Sequence, residues 1–252
     1  MINKYLLRKN FKSTYLSDGH VIYGRMAFKT KRVDWVDTTL PVVALLSVHS
    51  AFNEGVDGYF KMTTFLTQIR ENVKGNVSIL FADTAHLHTL RLAQLEDPLI
   101  DCLRSAKELA LHYDSYIDSA EVLYWSSYIM ADEEYGSVKE QLQQLIQTDD
   151  AFKTVLLTDA EAAYTEKREK EFPNKELFIE KMIDDLIEQC VCIQILAKKG
   201  YRYLLYPGAP CESTEYINRH YTPLENYLHW VDVFVTIEKK TKIFHEKFIM
   251  NG

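Results

Sequence analysis

The sequence has no apolar run of about 18 residues, the length that a helix needs to cross a membrane. In residues 1–10, charges separate two short apolar pieces, and the apolar stretch and cleavage site of a secretory signal are missing. Cysteine is scarce, and its four positions (Cys102, Cys190, Cys192 and Cys211) have no C-x-x-C spacing. We therefore expect a cytoplasmic protein with reduced thiols and no membrane segment.

Several motifs of cofactor and hydrolase chemistry are also missing. No G-x-G-x-x-G segment and no phosphate-binding P-loop is present, and no serine lies in a G-x-S-x-G turn. His86 and His88 lie two residues apart on a predicted helix, as do Cys190 and Cys192, and this spacing turns each pair to different sides. We expect neither a cofactor nor a metal ion.

The charge balance is acidic, with 29 Lys and Arg against 36 Asp and Glu and a net charge of −7. This balance argues against a general polyanion-binding protein, since affinity for nucleic acid comes largely from clustered basic side chains. It leaves room for a local basic face, for which the candidates are residues 29–32, Arg91, Arg104 and Lys107.

The most informative segment is the apolar run of residues 40–46, which ends at Ser47 and leads into a polar turn. A run without alternation predicts a strand buried on both faces, as in a parallel sheet. Ligands of such sheets bind beyond the carboxyl ends of the strands, where a serine hydroxyl can act as a nucleophile. The alternative is that Ser47 only satisfies backbone groups at the strand end.

Strands and helices alternate in the predicted secondary structure, which indicates one α/β domain over residues 1–252 with a mostly parallel, Rossmann-like sheet flanked by helices. Asp83 and Thr84 are predicted to cap a helix through His86 and Leu92, and residues 98–172 to be largely helical. The predicted strands are 21–28, 41–48, 77–82, 201–206 and 232–237, and the main helices are 59–73 and 175–199, the latter stopped by Gly200.

Three predicted strand ends carry polar side chains, namely Ser47, Asp83 and Tyr206, and we expect them to converge. The helix before the last of these strands carries acidic and amide side chains that stack one turn apart. Asp184 with Glu188, or Asp185 with Gln189, could point into the same cleft; the alternative is a solvated acidic stripe.

Four segments in the same order resemble the tRNA-dependent cyclodipeptide synthases, in particular the subfamily with a Tyr-Pro pair. Together they span about residues 41–208. They are Ser47-Val-His-Ser-Ala-Phe-Asn-Glu-Gly55, Phe81-Ala-Asp-Thr-Ala-His-Leu-His-Thr-Leu90, Asp185-Leu-Ile-Glu-Gln-Cys-Val191 and Leu205-Tyr-Pro-Gly208.

The resemblance implies a domain similar to the catalytic domain of class I aminoacyl-tRNA synthetases, without their ATP-binding motifs. It implies an enzyme that takes two aminoacyl-tRNAs and joins their amino acids as a diketopiperazine, needing neither metal nor ATP. Ser47 would carry the first aminoacyl group as an ester, and Tyr206 would assist proton transfer.

With Cys190 as the anchor, the resemblance aligns Asp185 and Gln189 with the helical Tyr and Glu of the family, which position the aminoacyl group and hold its ammonium. A shift of one residue aligns Asp184 and Glu188 instead. The implied catalytic set is therefore Ser47, Tyr206, Asp185, Glu188 and Gln189. The implied substrate-binding residues lie near the strand ends: Val43, Leu45, Ser50, Asp83, Leu204 and Pro207.

Two other functions stay open at this point. One is a catalytically silent homologue that binds tRNA or a protein partner, since the helical Tyr and Glu are replaced. The other is an acyltransferase or esterase that uses Ser47 on a small ester or thioester, with His49, Asp185 or Glu188 as its base. The amino acids that are joined and the oligomeric state do not follow from the sequence.

Overall fold

A computed structural model describes residues 4–6, 11–17, 20–29, 35–37, 40–48, 55–72, 77–93, 97–117, 120–207 and 211–241. The strands are β1 (Lys4–Leu6), β2 (Phe11–Ser17), β3 (His20–Lys29), β4 (Trp35–Asp37), β5 (Val42–Ser47), β6 (Val77–Ala82), β7 (Glu121–Tyr124), β8 (Tyr203–Tyr206) and β9 (His229–Thr241). The helices are α1 (Gly55–Asn72), α2 (Leu87–Leu90), α3 (Pro98–His112), α4 (Asp114–Ile117), α5 (Trp125–Tyr128), α6 (Tyr135–Thr148), α7 (Asp150–Ala163), α8 (Glu166–Glu171), α9 (Lys175–Lys198) and α10 (Glu212–His220).

The main sheet has seven strands in the order β2-β3-β9-β8-β5-β6-β7. The five strands from β9 to β7 are all parallel, while β2 and β3 extend the sheet in antiparallel pairing beside β9. A separate two-stranded sheet pairs β1 with β4. The predicted α/β fold class with a mostly parallel sheet is confirmed; the single-domain boundary at 1–252 stays a prediction.

The helices cover both faces of the sheet, and the alternation along each strand decides which face a side chain meets. In β5, Val43 and Leu45 pack with α9 and its neighbours α6, α7 and α10. The intervening residues Val42, Ala44 and Leu46 pack with α1 and α3 on the other face. All six residues of β5 are buried, which explains the absence of polar alternation in its sequence.

The helix α9 ends as its sequence predicts. Gly200 has a φ of +92°, a left-handed conformation that glycine adopts without a Cβ clash. The backbone N–H of Gly200 donates to the carbonyl of Ala197, and that of Tyr201 donates to Leu196. These two bonds form a Schellman motif, which satisfies the last carbonyls of α9 and turns the chain into β8.

Most predicted elements are confirmed, with ends moved by a few residues. The prediction that residues 98–172 are largely helical was wrong at residues 121–124, which form the short strand β7 at one edge of the sheet. The last strand begins at His229 and not at Asp232, and the helix α10 (Glu212–His220) precedes it. Within the described residues, no helix is long and apolar enough to cross a membrane.

Candidate active site

A cavity of about 320 Å³ lies at the carboxyl ends of the parallel strands, on the face of the sheet that α9 covers. Ser47 at the end of β5, Tyr206 at the end of β8 and Gln189 on α9 all line this cavity. Side chains two residues apart on a strand point to the same face of the sheet, and Ser47 therefore shares a face with Val43 and Leu45. Val43 pairs with Leu204 on β8, and Tyr206 lies two residues after Leu204, so Tyr206 is on this face as well. The carboxyl ends of the strands are where open α/β sheets bind their ligands.

Ser47 is 8% exposed. Apolar and small side chains surround its end of the cavity, including Leu45 and Ala82 from the adjacent strands β5 and β6. Ser47 and Ala82 are directly paired in the parallel ladder.

The rings of Tyr206 and Trp230 form a T-shaped contact, with 5.4 Å between their centroids, and this contact holds the Tyr206 side chain. Burial raises the pKa of the Tyr206 hydroxyl, and the nearby Cys211 adds to the effect. The hydroxyl is therefore protonated at neutral pH. In that state it can donate a hydrogen bond and pass a proton on, and it is a poor general base.

Gln189 contributes a neutral amide to the cavity. The thiol of Cys211 lies 4.0 Å from its Oε1 and donates to it. Burial and the charge of Asp159 raise the pKa of Cys211 to about 11, so this thiol stays protonated and serves as a donor. The carboxamide can accept from, and donate to, a bound ligand.

Asp185 does not line the cavity, although it lies one helical turn before Gln189. It is fully buried, and its Oδ1 accepts from the backbone N–H of His88 at 3.0 Å. Its Oδ2 accepts from the backbone N–H of Thr89 at 3.1 Å and from Thr89 Oγ1 at 2.7 Å. Asp185 therefore fixes α2, and α2 supplies Thr89 to the cavity wall.

Glu188 is also directed away from the cavity. Its Oε1 lies 2.9 Å from His88 Nε2 and 2.6 Å from Lys139 Nζ. Burial raises the pKa of Glu188, but the hydrogen bonds from His88 and Lys139 outweigh it and the net shift is downward. The same hydrogen bond raises the pKa of His88 against the effect of burial. Glu188 thus belongs to a buried ion-pair cluster.

Asp184 is the most exposed of the acidic residues on this part of α9, and its Oδ2 pairs with Lys181 Nζ at 3.5 Å. Neither of the two predicted pairs, Asp184 with Glu188 or Asp185 with Gln189, shares the cavity. Of these four side chains, Gln189 alone is among the lining residues.

The residues predicted to bind substrate differ in where the structure places them. Leu45 lines the cavity, whereas Val43 and Leu204 are fully buried beneath it in the same core. Pro207 is half-buried and outside the lining, and Ser50 lies outside the described residues.

Asp83, predicted to converge with Ser47 and Tyr206, is not among the residues that line the cavity, and the expectation that it caps the next helix was wrong. Its Oδ2 accepts from Ser126 Oγ at 2.6 Å and its Oδ1 from the Ser126 backbone N–H at 2.9 Å, which ties the end of β6 to α5. The residue before α2 is His86, whose side chain makes no capping bond.

Several lining residues come from segments for which the sequence predicts no site. Asp159 on α7 and Arg168 on α8 reach the cavity from the charged helical middle of the chain, and Trp125 and Trp230 complete its apolar wall. No local sequence pattern identifies these residues, because tertiary packing of elements distant in sequence brings them to the strand ends.

Metal binding finds no support in the described part of the chain, where no group of three or more His, Cys, Asp or Glu side chains is placed to hold an ion. The expected absence of a metal and a cofactor stays a prediction.

No protein-family model matches the sequence, and no curated protein does. Solved structures do match. A cyclodipeptide synthase (CDPS) from Fluoribacter dumoffii has a TM-score of 0.73 at 16% identity, over 84% of this chain and 98% of that one. A cyclodipeptide synthase from Candidatus Glomeribacter gigasporarum, solved bound to Phe-tRNAPhe, has a TM-score of 0.63 at 15% identity, over 83% and 93%.

A third match is a Mycobacterium tuberculosis protein, with a TM-score of 0.53 at 11% identity over 89% of this chain and 96% of that one. It was described as evidence that cyclodipeptide synthetases are related to type I tRNA synthetases. At such low sequence identity, structural similarity establishes only the fold. The chain therefore has the Rossmann-like fold seen in cyclodipeptide synthases.

Proposed function

We propose that this protein is a tRNA-dependent cyclodipeptide synthase, an aminoacyltransferase that joins two amino acids from two aminoacyl-tRNAs into a diketopiperazine. The observation that carries the proposal is the meeting of Ser47, Tyr206 and Gln189 in one cavity at the carboxyl ends of β5 and β8. The shared fold and the four sequence segments support it. The Tyr-Pro subfamily is part of the proposal, and rests on Tyr206 and Pro207.

The first step is acyl transfer to the protein. Ser47 Oγ attacks the carbonyl carbon of an aminoacyl-tRNA, the bond from that carbon to the ribose oxygen breaks, and the seryl proton ends on the ribose oxygen of the leaving tRNA. The aminoacyl group remains as an ester on Ser47. The reaction consumes no ATP, because the aminoacyl ester is already activated.

The following steps regenerate the free Ser47 hydroxyl and form the product. The amine of a second aminoacyl-tRNA attacks the seryl ester, which forms a peptide bond and restores the Ser47 hydroxyl with the amine's proton. The free amine of the resulting dipeptidyl-tRNA then attacks its own ester carbonyl. This intramolecular aminolysis closes the ring and releases the second tRNA.

Tyr206 and Gln189 have separate roles in this scheme. The protonated Tyr206 hydroxyl lies in the same cavity as Ser47 and relays a proton between the amine and the seryl oxygen. Gln189 orients the aminoacyl group through its carboxamide. Asp185 and Glu188 act through the scaffold, because Asp185 holds α2 and Glu188 ties α9 to Lys139 on α6.

The substrate class follows from the reaction. A structural neighbour was solved bound to Phe-tRNAPhe, which supports aminoacyl-tRNA as the partner of this chain. Charged tRNA is made and used in the cytoplasm, so the proposed reaction takes place there. The apolar lining of the cavity, with Leu45, Met182 and Leu186, favours apolar amino acid side chains.

The two other functions receive less support. An esterase that uses Asp185 or Glu188 as its base is disfavoured, because both carboxylates are engaged with other partners outside the cavity. His49, the third candidate base, lies outside the described residues. A silent homologue is favoured by the replacement of the helical Tyr and Glu of the family with Asp185 and Gln189.

The deciding experiment is expression of the chain in bacteria with mass spectrometry of the culture extract. We expect a cyclic dipeptide that is absent when Ser47→Ala is expressed and unchanged when Ser137→Ala, an exposed serine on α6, is expressed. Purified protein mixed with total aminoacyl-tRNA should gain the mass of one aminoacyl group, and Ser47→Ala should not. Folded wild-type protein that yields neither product nor adduct would support the silent homologue.

A further inference from the structure

We propose that Asp159 binds the α-ammonium group of the aminoacyl substrate. This inference rests on the proposed function and adds to it a binding residue that neither the four sequence segments nor the strand ends indicate. Asp159 lies on α7 and is half-buried at the wall of the cavity that contains Ser47.

The chemistry of the substrate calls for such a group. An aminoacyl ester carries a protonated amine next to its carbonyl, and in a mainly apolar cavity that charge loses much of its hydration. Burial of an unpaired ammonium is unfavourable unless a carboxylate or several acceptors replace the water. Among the described residues that line the cavity, Asp159 provides the one carboxylate.

The Asp159 carboxylate has bonds that hold it in place and capacity left for a ligand. Its Oδ1 accepts from the backbone N–H of Glu212 at 3.2 Å, and its Oδ2 accepts from that of Ser213 at 2.7 Å. Each carboxylate oxygen has two lone-pair positions, so each can accept a further hydrogen bond.

Asp159 and Gln189 both interact with Cys211. The Cys211 thiol donates to Gln189 Oε1 at 4.0 Å, and the negative charge of Asp159 contributes to the raised pKa of the same thiol. Cys211 itself lines the cavity. An ammonium beside Cys211 can therefore meet the Asp159 carboxylate and the Gln189 amide oxygen together, and a charge-assisted hydrogen bond to the carboxylate is the stronger of the two.

A purely structural role for Asp159 is the competing explanation, because the same oxygens bond the first turn of α10. The two explanations differ in what a neighbouring carboxylate can restore. If the charge is needed by the ligand, a carboxylate placed at position 189 should substitute for it. If the bonds to α10 are what matters, it should not.

The test is a binding measurement that needs no turnover. Ser47→Ala protein is titrated by saturation-transfer NMR with methyl esters of phenylalanine and leucine, and with the matching esters that lack the amino group. We expect the amino esters to bind more tightly, and Asp159→Asn in the same background to reduce that preference about tenfold. Adding Gln189→Glu to Asp159→Asn should restore most of the preference.

The matched control is Asp149→Asn. Asp149 also caps a helix and holds α10, through the hydroxyls of Tyr216 and Tyr221, but it does not line the cavity. It should leave the preference for the amino esters unchanged. An unchanged preference in Asp159→Asn, no preference at all in the Ser47→Ala protein, or no rescue by Gln189→Glu would overturn the role of Asp159. The search for a Ser47-dependent cyclic dipeptide decides the synthase proposal separately.

Discussion

Thr89 donates two hydrogen bonds to Asp185, one from Oγ1 at 2.7 Å and one from its backbone N–H at 3.1 Å, both to Oδ2. Thr89 lines the cavity, whereas Asp185 is fully buried behind it on α9. The wall formed by α2 is therefore attached to α9 through Asp185, and the His88 side chain adds a contact to Glu188 on the same helix. A short helix of four residues has little stability of its own, so this attachment decides its position.

Asp185→Ala should lower the free energy of unfolding by about 2–4 kcal/mol, because it leaves the buried donors of His88 and Thr89 without their acceptor. Denaturation by urea measures the change. Asp184→Ala, which removes a carboxylate that is paired with Lys181 at the surface, should change the free energy by no more than about 0.5 kcal/mol. Equal losses in the two variants would contradict this role for Asp185.

The stability should also depend on pH through Asp185. Burial raises its pKa from 3.8 to about 6, against the opposing hydrogen bonds from Thr89 and His88. The folded state thus binds a proton that the unfolded chain has released, and the contribution of this group falls as the pH rises from about 4 to about 6.

In Asp185→Asn this titration is absent. The stability of the wild type relative to this variant should therefore decrease between pH 4 and pH 7, by no more than about 3 kcal/mol. Urea denaturation of both proteins at several pH values measures it. Parallel curves, or a relative stability that rises with pH, would contradict the raised pKa.

The pair of His88 and Glu188 gives a separate spectroscopic prediction. A hydrogen bond from His88 to Glu188 raises the pKa of the imidazole, against the effect of burial. The stabilisation from this pair is complete below the unfolded-state pKa of histidine and is lost as the pH rises through the raised value. Glu188→Gln should therefore lower the pKa of His88 in an NMR titration.

The control for this titration is Glu180→Gln, which removes a surface partner of Lys181 on the same helix and should leave the His88 titration unchanged. Glu188→Gln should also reduce the free energy of unfolding by about 3 kcal/mol, because Lys139 loses its buried partner. A His88 titration that stays the same in Glu188→Gln would mean that another group sets its pKa.

The sequence predicts the parallel strands and the position of Ser47 at the end of β5 well, because both depend on local signals. A wholly apolar run predicts a buried parallel strand, and steps of two along it place Ser47 on the same face as Leu45. The stop of α9 at Gly200 has the same local character. The strand β7 was missed, since four residues that lead directly into a helix carry no clear alternation.

The parts of the site that were not predicted depend on what packs against each helical turn. Asp185 and Gln189 lie on one face of α9, yet α2 covers the turn of Asp185 and leaves the turn of Gln189 open to the cavity. Asp83 bonds to Ser126, 43 residues further along the chain, in preference to a local cap. Asp159 reaches the cavity from α7, and no periodicity reveals such a contact.

Tyr206→Phe separates the proposed proton relay from the packing of the ring. The change keeps the aromatic contact with Trp230 and removes only the hydroxyl, so the free energy of unfolding should change by less than about 1 kcal/mol. The rate of cyclic dipeptide formation should fall by about 10²- to 10⁴-fold, the range of a lost proton transfer. Quenched reactions with aminoacyl-tRNA measure that rate.

The matched control is Tyr201→Phe, because Tyr201 is a buried tyrosine just before β8 whose hydroxyl donates to Ser78 Oγ at 2.8 Å. Its loss should cost about 1 kcal/mol of stability and leave the rate of product formation unchanged. Tyr206 acts in the reaction if the two variants separate in this way. If Tyr206→Phe keeps the wild-type rate, the proton passes through another group or through water, and Tyr206 only shapes the cavity.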